Sequence, residues 1–477
     1  MDEWLTELAS LAPGCRIEAD QAAIQQACTD WRKRYRTDAL AVLEPQTTQQ
    51  VQAIIQWCKK HKLTITTQGG NTGLVGGAVP SQSPQADTAA QQVVLRTTRL
   101  RETLNIDPAN LTLTASAGYT LHEIQEFASA HGFLFPLSLA SEGTCTLGGN
   151  LASNAGGVAV LRYGNTRELC LGLEYINAQG LVCGDLRGLR KNNTGYDLRH
   201  LLIGSEGTLG IVTTACMKVF PQPKSRCVAW LNVDHIRAAV DALGFIQHHL
   251  FSELSSYEWM NDVAIDVVQT HFPARAPESP YSGDHVLAEF TSLGTEPELK
   301  NKVIDVLSQL LEEQPAVRNV VVAKNQKEMD LFWSLRENIS EAQAKEGLNI
   351  KHDVACKVSK LPDFHDMALG MIAECGIEVR PVLFGHLGDG NLHFNLSCPQ
   401  GEDAAKFLET HQNMVNDLVH EAIIHCAGTV SAEHGIGQLK AELLQKITTA
   451  ANYQTFQAIK MALDPDQLFN PGKLVLM

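Results

Sequence analysis

The sequence has no C-x-x-C pair, although it holds 12 cysteines; the nearest two, Cys216 and Cys227, are 11 residues apart. That argues against an iron–sulfur cluster or a cysteine zinc site and reads as reduced thiols in a cytoplasmic protein. No apolar run approaches the ~18 residues that cross a bilayer, so no transmembrane segment is expected. The start, Met1-Asp2-Glu3-Trp4, is acidic and lacks an apolar core, so neither a secretory signal nor an Arg-rich transit peptide is expected. Neither G-x-G-x-x-G nor G-x-x-x-x-G-K-[ST] occurs, which sets aside a Rossmann dinucleotide fold and a P-loop ATPase. Basic residues are outnumbered, 38 against 53 acidic ones, for a net charge of -15. Nucleic acid and anionic membrane surfaces are therefore poor general partners. A local basic pocket for an acidic substrate remains allowed.

What is present belongs to an ordinary globular chain, with 44% hydrophobic and 19% charged residues. At 477 residues it exceeds one core. Val51, Ile54, Ile55 and Cys58 recur at helical spacing behind an N-cap at Thr47 or Thr48. Strands are expected over 63–67, 93–97 and 111–117, a helix over 121–131 closed by Gly132, and a hairpin from 173–177 to 181–183. A strand over 211–220 ends this region, and Pro221-Gln222-Pro223 marks a boundary. Beyond it, strands over 228–233, 286–290 and 320–323 alternate with helices over 238–249, 297–313 and 327–346, an α+β unit. The Pro- and Ser-rich stretch 273–283 is expected as a surface loop. The turn Leu468-Phe469-Asn470-Pro471-Gly472-Lys473 returns to the first domain.

Three glycine-rich loops punctuate the first half: Gln68-Gly69-Gly70-Asn71-Thr72-Gly73 continuing to Gly77; Gly143-Thr144-Cys145 through Gly148-Gly149-Asn150 to Asn154-Ala155-Gly156-Gly157; and Gly204-Ser205-Glu206-Gly207-Thr208-Leu209-Gly210-Ile211-Val212. Glycine permits close backbone approach, so N–H groups can converge on a phosphate. One such loop reads as a tight turn; three beside strands read as a cradle for a pyrophosphate-bearing cofactor.

The second half carries a different chemistry. His386 and His393 flank Gly388-Asp389-Gly390-Asn391, and Glu433-His434 follows downstream. If the glycine segment is a hairpin turn, both imidazoles face one site. With Glu433 they form a two-nitrogen, one-carboxylate metal set with open positions, the catalytic pattern. Zinc suits it best, with manganese, cobalt and iron as alternatives. Asp389 is expected to serve the turn. His434 remains as a general base, imidazole being suited to that role near neutral pH.

Gln68 to Gly73, Gly148-Gly149-Asn150, Arg162-Tyr163-Gly164, Gly204 to Gly210, Gly385 to His393 and Asn470-Pro471 together resemble the vanillyl-alcohol-oxidase / p-cresol methylhydroxylase (PCMH-type) flavoprotein superfamily. Within it they resemble the D-2-hydroxyacid dehydrogenases. Arg190 to Leu198 and Val430 to Gly435 are more similar to the D-2-hydroxyglutarate branch than to the D-lactate branch. The resemblance covers residues 35–477.

It implies an α+β fold: a two-part FAD-binding domain (1–222), a substrate or cap domain with a mostly antiparallel sheet (223–430), and a segment returning to the FAD domain (431–477). FAD would be noncovalent, since the first loop has no histidine. The expected cofactor contacts are Gln68, Gly69, Gly70, Asn71, Thr72, Gly73, Pro136, Gly143, Thr144, Cys145, Gly148, Gly149, Asn150, Ser153, Asn154, Gly156, Gly207, Gly210, Ile211, Val212 and Asn470. Arg336 and Ser340, one turn apart on the helix expected over 327–346, would hold the substrate carboxylate. Lys351 and Asn395 would join them, and His434 would touch substrate as base. Ser340 stands where the family usually has threonine. The implied partners are a D-2-hydroxy acid and an electron acceptor, either electron-transferring flavoprotein or a quinone; a homodimer is compatible with the sequence. D-lactate, D-malate and glycolate oxidation, or a flavin subunit of a larger redox complex, are the competing functions.

Overall fold

The computed structural model describes residues 2–82, 92–273 and 283–477. Most of the expected surface loop 273–283 lies outside the described residues. The chain divides into two compact units: Met1–Gly156 with Gly164–Pro221 and Glu433–Met477, and Gly157–Tyr163 with Gln222–Ala432.

The first unit is built on two sheets. One has the order Arg16–Glu18, Val42–Glu44, Gln92–Arg96, Thr64–Gln68; its first pair is antiparallel and the others are parallel. The helix Thr48–Lys60 starts where the sequence placed it, with Thr47 Oγ1 accepting the Gln50 N–H at 3.2 Å. Val51, Ile54, Ile55 and Cys58 are fully buried in one core with Leu43, Ile65, Val93 and Leu95. The second sheet, Leu104–Asp107, Thr112–Ser116, Ile211–Lys218, Cys170–Ile176, Val182–Asp185, is antiparallel throughout and contains the expected hairpin. The C-terminal turn does return to this unit: Ile65 N–H donates to Leu468 O at 2.7 Å, and Asn470 N–H to Ile65 O at 2.8 Å.

The second unit holds a seven-stranded sheet in the order Val317–Val322, Ser225–Val233, Asp284–Ser292, Leu254–Met260, Arg380–Gly385, Asn391–Ser397, Ile350–Ala355, and every pairing is antiparallel. Its central strand Leu254–Met260 is buried along its whole length although it carries Ser255, Ser256 and one charge, Glu258. The α+β expectation with a mostly antiparallel second sheet holds.

Two features depart from the sequence reading. The helix expected over 327–346 is two helices, Gln326–Glu337 and Ile339–Glu346. Asn338 sits at the junction and its side-chain amide donates to the Ser334 carbonyl, the local competition with backbone bonding that makes asparagine a poor helix-interior residue. Arg336 is buried whereas Ser340 is exposed, so the two do not share a face. The second departure is Gly157–Tyr163, which leaves the first unit for the second, where Arg162 Nη1 donates to the Thr291 carbonyl at 3.0 Å and Val158 O accepts from Ser256 Oγ at 2.7 Å. No described helix is long and apolar enough to cross a membrane.

Candidate functional site

In the first unit the three glycine loops converge. A Cβ on Gly70 would lie 2.0 Å from Thr144 O, one on Gly69 2.5 Å from Thr146 Oγ1, and one on Gly207 2.8 Å from Asn470 Nδ2. Any side chain at these positions would force the loops apart. Between them is a cleft whose walls include Thr67, Gly69, Gly148, Gly149, Gly207, Gly210 and Val212. Asn470 joins two of the loops: its Oδ1 accepts the Thr67 N–H at 3.0 Å and its Nδ2 donates to Glu206 O at 2.6 Å.

The remaining expected cofactor residues are sorted by their present bonds. Gln68 is committed to scaffold, donating to Ala27 O and Ala78 O and accepting from Arg96 Nε. Asn71 Nδ2 donates to Thr29 O, and Ser153 Oγ donates to Gly149 O. Asn154 caps the helix Leu147–Ser153 in the left-handed region at φ 52°. Pro136, Cys145, Asn150, Gly156 and Ile211 are buried, and burial pushes the Cys145 thiol up. Thr72 is partly buried; Gly73, Gly143 and Thr144 are exposed.

A dinucleotide fits this cradle on its own terms. Thr67 Oγ1, Asn71 Oδ1 and Thr146 Oγ1 are buried with no hydrogen-bond partner among the described residues. Buried polar atoms are normally satisfied, so a ligand with many acceptors and donors answers a need already present. Lys473, which the sequence reading passed over, is fully buried with Nζ 3.4 Å from both Thr66 Oγ1 and Asn470 Oδ1. Burial pulls its ammonium down to about 7, opposed by nearby Glu206.

The second constellation rests on the hairpin Arg380–Gly385 / Asn391–Ser397, with Phe384 opposite His393. His386 leads the tight turn Leu387–Asp389, and Gly390 closes it at φ 91°, where a Cβ would strike Cys356 O at 2.2 Å. Asp389 Oδ1 accepts the Asn391 N–H at 3.3 Å, the turn role expected of it. The two imidazoles lie with ring centroids 5.7 Å apart. Glu433 is one peptide bond beyond Ala432, whose N–H donates to Asp353 O at 3.3 Å.

Two carboxylates behind the histidines were not singled out from the sequence. Glu258 Oε1 accepts from His386 Nδ1 at 2.8 Å, and its Oε2 accepts from Arg336 Nε at 2.8 Å. Burial alone would raise the Glu258 carboxyl; the charges and hydrogen bonds of His386 and Arg336 outweigh it and hold it below the usual range. A hydrogen bond from Nδ1 to a carboxylate is the arrangement that orients an imidazole for ligation through Nε2. Asp353 Oδ1 lies 4.0 Å from His393 Nδ1 and accepts from Asn391 Nδ2 at 3.0 Å. The sequence signal for Glu258 was present: an acid between Tyr257 and Trp259 in an apolar strand must have buried partners. Those partners are far away in sequence.

Arg336 stacks over Phe384, its guanidinium 4.8 Å from the ring centre. Lys351 is exposed and pairs across the strands with Asn395, which is buried and donates to Gln343 Oε1 at 2.8 Å. Arg336, Lys351 and Asn395 therefore belong to the unit that carries both histidines; Ser340 faces solvent.

Residues 222–474 match the family "FAD linked oxidases, C-terminal domain", and residues 39–184 match "FAD binding domain". A D-2-hydroxyglutarate dehydrogenase of Xanthomonas citri pv. viticola is 32% identical, over 99% of this chain and 97% of that protein. The mitochondrial D-2-hydroxyglutarate dehydrogenase of Rattus norvegicus is 33% identical, over 99% and 84%. Among solved structures, p-cresol methylhydroxylase superposes with a TM-score of 0.74 at 14% identity, covering 99% of this chain and 96% of that one. Alkyldihydroxyacetonephosphate synthase superposes with a TM-score of 0.72 at 17% identity, covering 99% and 86%. At such identities these two speak for the fold alone.

Proposed function

This chain belongs to the family of FAD-linked oxidases, and on that premise we propose that it is a cytoplasmic dehydrogenase converting D-2-hydroxyglutarate to 2-oxoglutarate, with noncovalent FAD and a zinc ion held by His386, His393 and Glu433. The substrate follows from relatives of that activity aligned with nearly the whole chain; the metal follows from this chain's own residues. The observation that carries the reading is the pair of imidazoles on one hairpin, ring centres 5.7 Å apart, with Glu258 engaging His386 from behind. Manganese, cobalt or iron would satisfy the same donors.

A bound FAD would supply an acceptor for the C2 hydrogen as hydride, and a bound zinc would supply a Lewis acid for the hydroxyl. The chain does the rest. His434 receives the hydroxyl proton on its ring. Arg336 commits Nε to Glu258, and its terminal nitrogens offer a fork to a substrate carboxylate. Lys351 and Asn395 add a second polar contact, so the site favours a dicarboxylate over lactate. Electron-transferring flavoprotein or a quinone then reoxidises the protein.

The test is anaerobic mixing of the FAD-loaded protein with D- and L-2-hydroxyglutarate, D-malate and D-lactate. Flavin bleaching is expected to be fastest with D-2-hydroxyglutarate. Faster bleaching by D-lactate refutes the substrate; no bleaching by any acid refutes the dehydrogenase and leaves a flavin subunit inert alone.

A further inference from the structure

Glu206, in the third glycine loop, is bonded to the backbone that follows Glu433 and His434. It stands at φ 52°, a left-handed conformation that residues with a Cβ avoid. Its contacts tie four segments of the first unit together. The Glu206 N–H donates to Ala152 O at 2.8 Å, beside the second loop. Its carbonyl accepts from Asn470 Nδ2 at 2.6 Å. Its Oε1 accepts the Ile436 N–H at 2.7 Å and its Oε2 the Gly437 N–H at 2.6 Å.

The receiving segment is shaped for this carboxylate. Gly435 and Gly437 lie at φ 80° and φ 54°, so successive N–H groups curl toward one anion, the geometry of a backbone nest. A Cβ on Gly435 would lie 2.8 Å from Glu206 Oε1, and one on Gly437 would strike Val75 O at 2.2 Å. No larger residue fits at either place without moving the clamp. The same residue also faces the cleft: Ser205, Glu206 and Gly207 are part of its wall. A ligand seated in the cleft would therefore change the surroundings of the Glu206 side chain.

We propose that Glu206 is a positioning residue that transmits flavin occupancy of the cleft to the backbone bearing Glu433 and His434, tightening that segment when the cofactor is seated. The physical cause is desolvation. A cofactor lying over the carboxylate excludes water, and hydrogen bonds to a charged group strengthen as the local dielectric falls. Burial raises the Glu206 carboxyl, and the Ile436 and Gly437 N–H groups, with Lys473 and Lys440, oppose that rise. The roles of Glu433 and His434 rest on the function proposed above; the clamp does not.

The experiment is hydrogen–deuterium exchange over the Glu433–Lys440 peptide in FAD-free and FAD-loaded full-length protein, for wild type and E206Q. In the wild type FAD loading slows exchange at Ile436 and Gly437 by about tenfold or more. In E206Q these amides exchange fast whether or not FAD is present, with FAD content read from the flavin absorbance of the same samples. Turnover in E206Q then falls by about 10²-fold with KM within about threefold of wild type, a split that general loss of structure would not give. Protection indifferent to FAD in the wild type, or intact in E206Q, overturns the proposal. Should E206Q lose FAD, the two wild-type forms decide alone. FAD-linked protection in a wild type that oxidises no hydroxy acid sinks the proposed function and leaves the clamp standing.

Discussion

His434 differs from His386 and His393 in what surrounds it. The latter two sit on a hairpin with carboxylates behind them; His434 follows Glu433, the proposed third ligand, on a segment with little regular structure. His434→Ala is expected to retain FAD and metal yet lose turnover by about 10²–10⁴-fold, as for removal of a general base. Full activity near neutral pH would refute the assignment. A second residue-scale effect lies in the second unit. Burial, with Asp262 adding and the Trp259 N–H opposing, raises the Asp284 carboxyl from 3.8 to about 7. A raised acid binds its proton more tightly when folded, so between pH 4 and 7 the folded state holds more protons than the unfolded one. Asp284 therefore makes stability fall as pH rises through that window. Asp284→Asn should raise stability at pH 8 by on the order of 2 kcal/mol and change it little at pH 4, read from denaturation midpoints at the two pH values. Equal gains at both would mean that the carboxyl is not shifted.

At the scale of the element, the hairpin that carries both histidines depends on one backbone conformation. Gly390 combines a positive φ with a contact that leaves no space for a Cβ. Gly390→Ala should cost more than about 1 kcal/mol, displace His386 relative to His393, and weaken metal binding while FAD loading persists. Competition with a chelator measures the first, flavin absorbance the second; unaltered metal affinity would show that the turn does not set the ligand spacing. The hairpin was legible because Gly388-Asp389-Gly390-Asn391 is turn chemistry between two apolar strands. The break at Asn338 was not legible in the same way. Periodicity ran through it, and only the side-chain bond to Ser334 splits the helix, taking Ser340 off the face of Arg336.

For the whole molecule, each cofactor is assigned its own set of residues. FAD is assigned to loops of the first unit, and the proposed metal to the ligands His386, His393 and Glu433. Removing the metal by chelation should abolish turnover and leave flavin absorbance and far-ultraviolet circular dichroism unchanged, with activity restored by added zinc. Release of FAD alongside the metal would mean that the two sites are not independent. The sequence by itself determined the superfamily, the glycine cradle and the spacing of His386, His393 and Glu433, because turn chemistry, strand periodicity and ligand type are local properties. Only the tertiary structure decided that Glu258, 128 residues from His386, engages its imidazole, that Gly157–Tyr163 crosses into the second unit, and that Glu206 grips Ile436 and Gly437. Buried charges take partners wherever the fold brings them, and no local pattern records that distance.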